Sequence, residues 1–150
     1  MRKVNWTAVM VAAVVHFLLG AVWFTVFKEQ WLANLGVTQE QLMAKAGPGP
    51  IFYPYIVSFL CNVVIARVLA QVILATSARP TLFHGIRVAF YAWGGFVATT
   101  FLTSYVFEMK HWGAWTINAG YPLVGMLLMG AILGAWQKKE EPVKSQAAKA

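Results

Sequence analysis

Three histidines, five glutamates, one arginine inside an apolar run and a single cysteine carry most of the chemical reach of this chain. There is no aspartate, so a Ser-His-Asp arrangement cannot be built, and the glutamates stand at helix ends or in loops. His16 lies in an uncharged run from Val4 to Phe27. At 1.5 Å per residue it sits about 18 Å along its helix, near the middle of a hydrocarbon core about 30 Å thick. Ala13, His16, Gly20 and Trp23 share one stripe, which turns the imidazole toward a close-packed neighbour and away from lipid. By the same count Asn62, Thr99 and Thr100 fall at a similar depth, and the four residues form a candidate polar layer. Two readings follow: a neutral histidine bonded to a hydroxyl or amide as packing glue, or a proton-carrying or ligand-binding histidine. A haem held between two histidines needs both at one level, whereas His84 and His111 fall near opposite interfaces. No cofactor, metal ligand set or catalytic residue is therefore expected. Cys61 stands alone within an apolar helix.

Arg67 is close enough to the inner end of its helix to snorkel toward headgroups, and Gln71 lies one turn further on the same face. The two form a candidate headgroup or anion contact. Glu108 ends a membrane span, where the helix terminus is already partly negative, so a cation or donor should answer it. Lys28 and Asn118 are the expected partners in a candidate outer-rim cluster, with Lys110 and His111 in the same turn. Gly130 and Gly134 have the GxxxG spacing of a close helix crossing, and Gly95, Thr99, Thr100, Thr103 and Ser104 put small residues on two neighbouring rows. The spacing does not say whether the partner helix belongs to the same chain.

The elements that must position these residues are four apolar segments of about 20 residues or more, each able to cross a bilayer. They span about 4–27, 52–77, 85–107 and 116–136, giving an all-α four-helix bundle in residues 1–136 and a polar tail in 137–150. The first helix should continue past the membrane to Leu35 before Gly36 stops it. Thr38 and Gln41 have capping-box spacing, predicting a short interfacial helix from Gln39 to Ala46 in the first outer loop, ended by Gly47, Pro48, Gly49 and Pro50. Pro54 falls in the first turn of the second span, where its missing donor is harmless.

Lysine and arginine divide unevenly between the two sides. Arg2, Lys3, Arg79, Arg87, Lys138, Lys139, Lys144 and Lys149 lie on one, and Lys28, Lys45 and Lys110 on the other. The positive-inside rule then places both termini in the cytoplasm, N-in and C-in. With 59% hydrophobic and 11% charged residues, the chain has too little polar surface for a soluble domain. The net charge of +7 is read as orientation and contact with anionic lipid, so no nucleic-acid partner is expected. Trp31, Tyr53, Tyr55, Tyr105, Trp112, Trp115 and Tyr121 read as an outer aromatic belt, and Trp6 and Trp136 as an inner one.

The pattern NWTAVMVAAVVHFLLGAVWFTVF with KEQW, and GFVATTFLTSYVFE with NAGYPLVGMLLMGAILGAW, resembles the small bacterial membrane proteins grouped as domain of unknown function 1761. The resemblance implies a four-helix protein of bacterial type, placed in the bacterial cytoplasmic membrane, and brings no reaction, substrate or cofactor. The first helix of that family often ends in Trp-Tyr; here the pair is Trp23-Phe24, one hydroxyl fewer. A faint echo links Val26-Phe27 with Val106-Phe107, each followed by Glu, Lys and Trp, which would suit two parallel hairpins. Two function classes remain. One is a structural or accessory subunit, self-associating or within a larger membrane complex, whose histidine layer is dry and satisfied. The other is a small permease or ligand- or lipid-binding protein with a wet path to His16.

Overall fold

The computed structural model describes residues 3–46 and 52–136, all of them helix or short connection, with no strand among them. Helix α1 (Trp6–Val26) begins at Asn5, whose side-chain oxygen accepts from the Ala8 amide. Phe27, at φ −97° and ψ 15°, separates it from α2 (Lys28–Leu35), although the Phe27 and Trp31 amides still bond four residues back. Gly36 ends α2 at φ 64°, with its amide and that of Val37 closing on Ala33 and Leu32. This is the left-handed stop that glycine takes at no steric cost.

Helix α3 (Gln39–Ala46) carries the expected capping box: the Gln41 amide donates to Thr38 Oγ1 at 3.2 Å, and the Thr38 amide to Gln41 Oε1 at 3.0 Å. The Gly47–Pro50 stop and the tail from Gln137 lie outside the described residues. Helix α4 (Tyr53–Thr76) has Pro54 in its first turn.

The next helical stretch starts at Leu82, three residues earlier than the sequence suggested, because Thr81 caps it by accepting from the His84 amide. It runs as α5 (Leu82–Ala92), a π-helical turn over Trp93–Ala98, and α6 (Thr99–Phe107), with helical backbone angles across both joins. Helix α7 (Trp112–Ala135) starts four residues before the expected Thr116, since His111 caps it through Nδ1 to the Gly113 amide at 3.1 Å. Among the described residues, three helices are each long and apolar enough to cross a membrane: α1, α4 and α7.

The core is built from small side chains where these helices cross. Ala8, Val9, Ala12 and Ala13 of α1 meet Ala66, Leu69, Ala70 and Ile73 of α4, with Ala89 of α5 and Met126, Met129 and Leu133 of α7. Larger apolar groups such as Leu18, Val22, Leu60, Val64, Phe83 and Phe96 face outward. That inverted distribution suits a hydrocarbon solvent, where apolar surface has nothing to gain by burial and close packing holds helices together. Gly130 and Gly134 use their spacing against α5 of the same chain: a Cβ on Gly130 would stand 2.7 Å from the Ala89 Cβ, and one on Gly134 would strike the Thr81 carbonyl.

Candidate polar site between the first and last helices

His16, Gly20 and Trp23 of the predicted stripe meet α7, and each large group on one helix fills a glycine notch on the other. The His16 ring lies on Gly125, where any Cβ would collide with it. The Tyr121 hydroxyl sits over Gly20, 3.0 Å from where a Cβ would be, and Trp23 lies over Gly120. Polar bonds fasten the same seam. Tyr121 donates to the His16 backbone carbonyl at 3.3 Å, and the Trp23 indole donates to the Ile117 carbonyl at 3.1 Å. From the other side Trp93 donates to the Ala119 carbonyl at 2.9 Å. These bonds gather around Pro122, which cannot donate back to Asn118 and weakens the ladder there.

His16 is 1% exposed and Asn62 is 4% exposed. The imidazole packs against the Tyr121 ring, with centroids 4.7 Å apart and the planes tilted by 40°, and Asn62 faces the Tyr121 hydroxyl. Neither His16 ring nitrogen has a protein partner, nor has Asn62 Nδ2. The hydroxyl or amide bond expected for a packing histidine is therefore not made to the ring; the nearby hydroxyl goes to the His16 main chain instead.

Thr99 and Thr100 do not join this layer. Both are exposed, and their hydroxyls bond back to the Gly95 and Phe96 carbonyls of their own helix, as Thr103 does to Thr99. Equal depth does not fix direction, and the π turn just before them rotates later residues by about 100° relative to an unbroken helix. Tyr121 is the member missed by the sequence reading, which placed it in the outer belt. With α7 starting at Trp112, Tyr121 lies about 13 Å into the helix. Its spacing of four from Gly125 was the available signal.

Arg67 stacks its guanidinium 5.5 Å from the Trp6 ring centroid, at the end of the bundle where Asn5 Nδ2 donates to the Trp136 carbonyl at 3.1 Å. Its Nη1 is buried without a partner, while Gln71 is exposed. At the opposite end, Glu108 pairs with Lys110 and not with Lys28 or Asn118. Both members of the pair are substantially exposed. The Glu108 carboxylate beside it holds the Lys110 ammonium above its usual range, and that ammonium also sits 5.1 Å from the Tyr105 ring centroid. Asn118 donates to the Tyr105 hydroxyl at 2.7 Å. Local reach decides this correction: two residues on, across a tight turn with Met109 at φ 51°, Lys110 reaches Glu108 without spanning the bundle. A cleft of about 250 Å³ opens beside it, lined by Tyr105, Val106, Met109, Lys110, Trp112 and Trp115.

A family model described as protein of unknown function (DUF1761) matches residues 7–134. That stretch includes every helix described above except the first residue of α1 and the last of α7. No curated protein and no solved structure matches the chain.

Proposed function

The chain belongs to the family of proteins of unknown function termed DUF1761, and we propose that it is a four-span, N-in/C-in protein of a bacterial cytoplasmic membrane that works as a structural or accessory helix-packing subunit. Leu82–Phe107 supplies the remaining span, at about 39 Å if helical throughout. Bilayer lipid contacts the protein on all sides, and its protein partner is a second copy or a larger membrane complex.

The observation that carries this reading is the state of α6. It contributes no buried residue, whereas α5, its continuation through the π turn, is packed tightly on α7. A helix whose inner half is locked, and whose outer half is held to α7 by the bond from Asn118 to the half-buried Tyr105, leaves most of that outer half as a surface for another helix. The sealing of His16 at 1% exposure weighs against an open pathway through this chain. The two unbonded ring nitrogens favour the second reading, a ligand-binding role. The mass and composition of the particle purified in mild detergent tests the proposal: a co-purifying protein or a self-associated particle supports it, and a strict monomer in detergent and in lipid discs contradicts it.

A further inference from the structure

We propose that His16, Asn62 and Tyr121 form an internal binding site for one small, uncharged hydrogen-bonding guest, which in the resting protein is a water molecule. This goes beyond the packing role and does not depend on it.

Three unpaired polar atoms carry the inference: His16 Nδ1 and Nε2, and Asn62 Nδ2. They belong to side chains that are more than nine-tenths buried, and buried polar atoms are nearly always bonded, to protein or to ordered water. A neutral imidazole presents one donor and one acceptor, and the free amide hydrogen of Asn62 is a second donor. The complement is a molecule that both accepts and donates, which water does with two to four partners. Charge selects against ions. No acidic residue lies in the described membrane helices near this layer, so a cation would have no counter-charge, and an anion would face only neutral donors. Size is limited as well. Gly125 closes one side, where its backbone meets the Nε2 edge of the ring, and the Tyr121 ring closes another.

Imidazole-¹⁵N-labelled protein in lipid discs tests this with two readouts. The first is cross-relaxation between the His16 ring N–H and water. The second is a double-mutant cycle of His16→Leu and Asn62→Leu on the unfolding equilibrium, with His16→Gln as the variant that keeps donor and acceptor. The proposal expects a water cross-peak at His16 and a coupling of fivefold or more between two side chains that do not bond each other, retained with His16→Gln. Absence of the cross-peak, or additive effects within twofold, overturns it. If His16→Leu does not fold, the cross-peak in the unmodified protein decides alone.

Discussion

The backbone of Gly85 lies against the carbonyl of Gly130, so closely that a Cβ on either residue would collide with the carbonyl oxygen of the other. Substituting leucine at Gly130 or Gly134 should therefore force α5 and α7 apart and cost at least about 2 kcal/mol. Leu128→Ala, at a site already 40% exposed, should cost under about 1 kcal/mol. Chemical unfolding in mixed micelles measures the three; equal losses would remove the close crossing from the account.

The bond from Asn5 to the Trp136 carbonyl ties the first turn of α1 to the last of α7, while the same side chain caps α1. Asn5→Ala should cost about 1–2 kcal/mol by losing both. Asn5→Asp keeps the cap and loses only the donor, so its thermal unfolding should fall between the alanine variant and the native protein.

Trp23 and Trp93 each donate to an α7 carbonyl beside Pro122. Replacing either with phenylalanine keeps a ring and removes the donor, for an expected loss of about 1 kcal/mol. Amide hydrogen exchange in α7 should quicken around Ile117–Leu123 and not near Leu133. A uniform change along the helix would mean that the indoles pack without fastening the proline segment.

Glu108→Gln should leave the melting temperature unchanged within error, because the pair with Lys110 is local and exposed. The pH dependence has a defined sign. The folded Lys110 value is raised, so the pair's contribution is complete below the ordinary lysine value and is lost only as pH rises through the raised one. Melting between pH 6 and 9 should be flat on this account, and a stability step in that window abolished by Glu108→Gln would contradict it.

Local signals were the legible part of the sequence. Thr38 and Gln41 specified a cap, Gly36 a stop and His16 the inward face of its helix, since each depends on spacing within one or two turns. What could not be read depended on phase and reach between segments. The π turn at Trp93–Ala98 leaves no fixed mark in composition, so Thr99 and Thr100 were aimed by depth alone. A cap by His111 moved the start of α7 and with it the depth of Tyr121. Glu108 found the cation in its own turn, although Lys28, which begins α2, looked equally available by depth.

We propose that Leu82–Phe107 crosses the membrane as a fourth span, which keeps the two ends of the chain on one side. Impermeant thiol labelling of intact cells reads this directly, after Cys61, which is exposed on α4, is replaced by serine. Single cysteines at Glu40→Cys, His111→Cys and Ser145→Cys report the first outer loop, the turn before α7 and the tail. Four spans predict labelling at 40 and 111 and protection at 145 until the cells are opened. Labelling at 40 and 145 with protection at 111 would mean that only three helices cross and would contradict the account.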